Sequence, residues 1–176
     1  MKLNHRYTLS AIILISFSFS ASAQWKAGVS VGKLDLYETN VITLQGGYSF
    51  DFESVSIEPA VRIGTGLNST RPFDFVEDDV ISGTEFDLEY IAAIDTRITY
   101  KLTENIGLFI QPSLYKYKWK GSTNSSDNGN SASVSDTDFA VGVGGNYRIN
   151  QNWEATILYE SFQLDDHLAV GLSYSF

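Results

Sequence analysis

The stretch that decides the fold is HLAVGLSYSF, His167 to Phe176. Read alternately, it separates into two faces. Leu168, Val170, Leu172, Tyr174 and Phe176 share one; His167, Ala169, Gly171, Ser173 and Ser175 share the other. Period two over ten residues, without a breaker, is a strand. The second face is unusual. A soluble sheet would carry Lys, Glu, Thr or Gln on its wet side, whereas this one carries Gly, Ala and Ser. Small residues suit a crowded interior and bulky apolar ones suit lipid. The pattern predicts the closing strand of a membrane barrel with its apolar side outward.

Seven further segments repeat the alternation: Trp25–Leu34, Asn40–Phe50, Val55–Gly66, Thr84–Leu102, Ile106–Lys120, Ser135–Arg148 and Trp153–Gln163. Pro59 has no N–H for a ladder, so a bulge or a missing bond is expected in its strand. The connections alternate in length. Asp51–Ser54, Thr103–Asn105 and Ile149–Asn152 are tight turns at the end that holds both termini. Leu67–Gly83 and Gly121–Val134 are long loops at the other. Short periplasmic turns and longer surface loops are the habit of outer-membrane barrels. Trp25, Phe50, Tyr100, Tyr147, Trp153, Tyr174 and Phe176 gather at the tight-turn end, as an interfacial girdle would. The expected fold class is all-β: an eight-stranded antiparallel up-and-down transmembrane β-barrel.

At 176 residues the chain makes one domain. It has no Cys, hence no disulfide framework and no thiolate metal site. Residues 1–23 read as a cleaved signal peptide: basic Lys2, His5 and Arg6, an apolar run Leu9–Phe19, and Ala21-Ser22-Ala23 as the cleavage site. The apolar run is too short for a membrane helix. The barrel would then occupy 24–176. Without Lys2 and Arg6, ten basic residues face twenty-one acidic ones, a net charge of −11, which opposes nucleic-acid binding.

With the apolar face outward, the large polar residues of the other face fill the lumen: Lys26, Gln45, Glu58, Arg62, Glu89, Asp95, Arg97, Gln111, Asn146, Arg148, Glu154 and Glu160. Unpaired charges there would cost several kcal/mol each. Depth counted from the tight-turn end predicts three ion pairs: Glu58 with Arg97, Arg62 with Asp95, and Arg148 with Glu154. Eight strands enclose a space that side chains just fill, so a packed polar plug is expected rather than an open channel.

A cleaved signal, eight alternating strands, three short turns and the terminal LSYSF resemble the small outer-membrane barrel proteins: the membrane domain of outer membrane protein A, outer membrane protein X and the attachment-invasion proteins. The resemblance spans Gln24–Phe176. It implies a monomer in the bacterial outer membrane, in contact with lipid and lipopolysaccharide, with no cofactor. It also implies that Tyr174 and Phe176 carry the signal read by the barrel assembly machinery. No peptidoglycan-binding domain is expected after the barrel. Roles in that family include envelope integrity and adhesion to host or cell surfaces through the loops.

Three features carry possible chemistry. His167 has Ser161, Asp165 and Asp166 near it in sequence, a thinkable set for a lipid A-modifying enzyme, but the spacing matches no hydrolase or acyltransferase motif. Asp74, Glu77, Asp78 and Asp79 lack the Gly and closing Glu of a calcium loop and read as a solvated run. Lys116, Lys118 and Lys120 alternate with Tyr115, Tyr117 and Trp119 and should point outward above the lipid band, toward lipid A phosphates. Edge-protecting lysines on a hairpin stem explain them equally well. The expected function is a non-enzymatic membrane barrel with an ion-paired lumen and exposed loops. The alternatives are a lipid A-modifying enzyme, a narrow pore for small solutes, and a soluble lipocalin-like barrel with its apolar face inward.

Overall fold

In the computed structural model the described residues are 22–35, 38–68, 84–123, 131–162 and 165–176. They form one closed antiparallel barrel of eight strands in sequence order: β1 (Ser22–Leu34), β2 (Thr39–Asp51), β3 (Val55–Gly66), β4 (Thr84–Lys101), β5 (Ile106–Thr123), β6 (Ser131–Arg148), β7 (Trp153–Ser161) and β8 (Asp166–Ser175). Closure comes from β1 against β8, from Lys26 opposite Ser175 to Leu34 opposite His167. Beyond the last pair, the Phe176 N–H donates to the Trp25 carbonyl at 2.9 Å. Residues 1–21 and the acidic run at 74–79 lie outside the described residues; of the expected cleavage site, Ser22 and Ala23 are described, and they open β1 opposite Asp51 and Phe50.

The orientation of the two faces follows the alternation. Along β8, Leu168, Val170, Leu172 and Phe176 are exposed, while His167, Ala169 and Ser175 are buried. Val29, Leu44, Val61, Ile63, Ile94, Leu108, Ile110, Leu114, Val143 and Ile157 continue the exposed apolar belt around the cylinder. A belt of that extent is stable only against an apolar medium, because soluble monomers rarely expose contiguous apolar patches beyond a few hundred Å². The lipocalin alternative, which needs these side chains inside, is thereby overturned.

The tight turns are fastened by their own polar residues. Asn150 Oδ1 accepts the N–H of Asn152 and of Trp153, both at 2.9 Å. Thr103 Oγ1 accepts the N–H of Asn105 at 3.2 Å and of Ile106 at 3.0 Å. Above them two aromatic triplets stand edge to face, Trp25–Tyr48–Phe50 and Trp153–Tyr174–Phe176, with centroids 5.0–5.1 Å apart. They flank the β1–β8 closure, the girdle position.

At Pro59 the outcome is the missing bond and not the bulge: the β2–β3 register runs on unshifted from Gly47 opposite Ala60 to Phe50 opposite Ile57, with the intervening pairs missing. The shift lies instead in β4. Leu88 pairs with Trp119 and Tyr90 with Lys118, leaving Glu89 as an extra residue. One inserted residue flips every side chain beyond it. Leu88, expected outward, is buried at 3% exposure, and Glu89, expected in the lumen, is exposed. The strands around it are also longer than expected. β5 runs to Thr123 and β6 starts at Ser131, so much of the Gly/Ser/Asn run is ladder and only 124–130 remains between them.

Orientation is checked by spin probes on single-cysteine variants at Leu172 and Ser173 in bilayers. The probe at 172 should be relaxed by oxygen and shielded from a water-soluble nickel complex. The probe at 173 should be insensitive to oxygen; the reverse pattern would refute the placement.

Candidate functional site: the lumen and its charges

The lumen is built in three storeys. Nearest the tight turns is a polar vestibule of about 890 Å³, lined among others by Lys26, Asp51, Lys101, Asn146, Arg148 and Glu154. Lys101 is engaged there, its Nζ 3.0 Å from Asp51 and donating to the Phe52 carbonyl at 2.9 Å.

The vestibule floor is a charged knot. Lys26 Nζ donates to Glu58 Oε2 and to Glu154 Oε1, both at 3.0 Å. Gln45 Nε2 donates to the other oxygen of Glu58 at 3.0 Å, and Asn146 Nδ2 to the other oxygen of Glu154 at 2.7 Å. Arg97 Nε donates to Gln111 Oε1 at 2.9 Å, its Nη1 lies 4.0 Å from Glu154, and its guanidinium sits 4.5 Å over the Phe109 ring.

Above it lies the Glu160 carboxylate, at 0% exposure. Arg62 grips it with two N–H donors, Nη1 at 2.8 Å and Nη2 at 2.9 Å. The Tyr115 hydroxyl donates at 2.6 Å, Ser113 Oγ at 3.1 Å and Gln111 Nε2 at 3.4 Å. His167 Nδ1 lies 3.1 Å from Oε2. On its other edge Arg62 forks onto Asp95, Nε at 3.1 Å and Nη2 at 2.7 Å. These are charge-assisted, largely bidentate bonds, the strong kind. Gly32 makes room for the imidazole: a Cβ there would stand 2.5 Å from His167 Nε2.

The top storey, at the loop end, is apolar. Leu34, Val41, Leu88, Ile91, Ala93, Tyr115, Trp119 and Ala140 form one buried cluster, with Tyr117 and Phe162 packed on it. Tyr115 and Phe162 meet edge to face at 4.7 Å.

Of the three expected ion pairs, only Arg62 and Asp95 meet. Glu58 and Arg97 are opposite each other in the ladder, yet Glu58 takes Lys26 and Arg97 takes Gln111. Arg148 and Glu154 are likewise opposite, but Glu154 turns inward to Lys26, while Arg148 is exposed at the rim. Inward side chains converge on the axis of a narrow cylinder, so a long one reaches partners on distant strands as readily as the residue opposite it. Glu160 as the common acceptor, and Lys26 as the bridge, were missed; their signal was only that they are large, polar and inward.

The Ser161–His167–Asp set is not assembled. His167 points into the lumen, whereas Ser161 is exposed on the other face. Lys118, one of the three outward lysines, is tied to Glu89 at 2.8 Å; Lys116 and Lys120 are exposed.

Removing one partner of a buried pair strands the other's charge, so Arg62→Ala is expected to cost about 3–5 kcal/mol. Tyr115→Phe, which deletes one bond to a charged acceptor, should cost about 1.5–3 kcal/mol. Urea unfolding of the detergent-solubilised protein, followed by gel mobility without boiling, measures both. A Tyr115→Phe barrel as stable as the parent would refute the role given to Glu160.

No protein-family model matches the chain, and no curated protein matches it by sequence. Solved structures do. Ail, the attachment invasion locus protein of Yersinia pestis, crystallised in complex with the heparin analogue sucrose octasulfate, superposes with a TM-score of 0.60 at 16% identity, over 90% of this chain and 100% of that one. The N-terminal β-barrel domain of Pseudomonas aeruginosa OprF gives 0.53 at 15% identity, over 88% and 100%. Neisserial surface protein A gives 0.51 at 9%, over 90% and 100%. At such identities the likeness is one of architecture: the chain has the fold of the small eight-stranded outer-membrane β-barrels.

Proposed function

We propose that this protein is an integral barrel of the bacterial outer membrane that conducts no solute and serves a structural or adhesive role through its surface end, without enzymatic activity. The observation that supports a closed barrel most directly is the filled middle of the lumen. Between vestibule and apolar storey, a gap bordered by Gln45, Arg62 and Arg97 measures about 20 Å³, room for about one water. A hydrated ion would have to displace the Arg62–Glu160 fork and then cross the Leu88–Trp119 storey. The narrow-pore alternative therefore has little support.

The tight turns face the periplasm in this reading, and the loop end faces outward. β4, β5 and β6, of eighteen residues each, then rise together above the shorter β7 and β8, of nine and ten, as a three-stranded surface sheet. Lys116 and Lys120 stand on its outer face just above Leu114, at the height of lipid A phosphates. Tyr174 and Phe176, packed together on the outward face, are in place for the barrel assembly machinery to read.

In planar bilayers the protein should give no steady current. A sustained nanosiemens conductance would defeat the closed-barrel reading. Unheated protein in detergent should run faster on a gel than boiled protein, as closed barrels do. Added lipopolysaccharide should raise the temperature of that mobility shift. Lys116→Glu with Lys120→Glu should abolish the rise while leaving the shift itself intact.

A further inference from the structure

The vestibule at the tight-turn end is a blind pocket. Its volume, about 890 Å³, is in the range that accepts a drug-sized molecule, and its walls are polar. The Lys26 knot forms its floor, and behind the knot the space narrows to about 20 Å³. A molecule that enters must leave by the same mouth. That point rests on the closed-barrel reading, whose conductance test and the titration below fail separately.

The charges at the mouth lie in an arc. The Lys101 N–H donates to the Ser54 carbonyl at 2.9 Å, and the Arg148 N–H to the Asn105 carbonyl at 2.8 Å. These bonds set the β2–β3 turn beside β4, and the β4–β5 turn beside β6. Glu53, Lys101, Glu104 and Arg148 therefore follow one another around the rim, alternating in sign, and all four line the vestibule.

Most of the charges below are engaged. Lys26 is held by Glu58 and Glu154, and Lys101 by Asp51 and the Phe52 carbonyl. Glu154, opposite Arg148 in the ladder, is drawn away to Lys26. Among the described residues, Arg148 has no acidic partner, and Glu53 and Glu104 have no basic one. Asn146, on the same wall, gives Nδ2 to Glu154, and its Oδ1 has no partner among the described residues. Buried Ser49 and Thr99 add hydroxyls that can donate or accept.

The complement of one guanidinium and two carboxylates is one carboxylate and up to two ammonium groups. Amino acids and short peptides carry that set, with a basic side chain supplying the second ammonium. A simple anion would meet Glu53 and Glu104, with Asp51 behind them. A simple diamine would leave Arg148 unused, whose fork matches a carboxylate. We propose that the vestibule binds a short peptide, or the end of a longer chain, that bears a free carboxylate and an amine side chain. Arg148 takes the carboxylate, and Glu53 and Glu104 take the ammonium groups. With the tight turns toward the periplasm, the ligand is a periplasmic one.

The probe is the dipeptide alanyl-lysine, titrated into the folded full-length protein in detergent at about 0.15 M salt and followed by calorimetry and by backbone amide NMR shifts. It should saturate at about millimolar concentration or below, with shifts centred on Glu104, Asn105 and Arg148. Alanyl-lysine amide, which lacks the carboxylate, and putrescine should each bind about tenfold more weakly or worse. Arg148→Gln should weaken the dipeptide by a similar factor, and so should Glu53→Gln with Glu104→Gln. N-acetyl-alanyl-lysine separates the sources: binding equal to the parent dipeptide assigns the site to chain ends, and its loss assigns it to free peptides. Absence of saturation overturns the proposal. So does putrescine binding as tightly as the dipeptide, or an affinity untouched by Arg148→Gln. The gel mobility shift on heating confirms that each variant is folded.

Discussion

A carboxylate with no access to water, on the shortest strand of the barrel, organises the interior. Glu160 belongs to β7, but its partners come from β3, β5 and β8. The bonds to Arg62, Ser113 and Tyr115 cross the lumen and tie the late strands to the early ones. A closed sheet already has its backbone bonds satisfied, and the apolar belt fixes only which face is outside. Neither sets how the cylinder is filled. A fully bonded Glu160 does, because any other packing would leave its carboxylate bare in a low-dielectric space.

From that centre the two ends differ. Toward the turns the side chains stay charged and the lumen widens into a wet vestibule. Toward the loops Leu88, Ile91 and Trp119 replace charge with apolar bulk. The seal depends on the Glu89 bulge. Without the bulge, Leu88 would point to lipid and Glu89 would enter the space under Trp119, away from Lys118. The bulge thus exchanges a buried unpaired acid for a buried leucine, and at the surface it hands Glu89 to Lys118. Displaced register, apolar seal and surface ion pair have one cause.

Much of this architecture was legible in the chain. Leu168, Val170 and Leu172 alternating with Ala169 and Gly171 announce a strand between lipid and a crowded interior, and the short segments 51–54, 103–105 and 149–152 announce one end. Period two is a local property and survives every packing choice. The Arg62–Asp95 contact was legible for a related reason: both sit at similar depth on adjacent strands. What could not be read was partner choice across the axis. Arg62 and Glu160 are 98 positions apart and meet only because the cylinder closes with a particular stagger. The bulge was hidden for the opposite reason. Asp87, Leu88, Glu89 and Tyr90 alternate correctly by themselves, and only the requirement to match Trp119 shows that one residue is surplus.

The same mismatch accounts for the surface sheet. Around most of the barrel, strand length is set by what it must cross: nine to thirteen residues in β1, β2, β3, β7 and β8. Three neighbouring strands of eighteen residues exceed that need. Length beyond the membrane brings no lipid contact to hold it, so it must be held by its own ladder and by burying something. It buries Trp119 and Leu88 against the mouth of the lumen, and thereby closes the barrel from above. The extension is thus at once display surface and stopper. On β4 a bulge carries carbonyls that Thr65 takes up, and on β6 Asp136 and Asp138 accept N–H groups of their own strand.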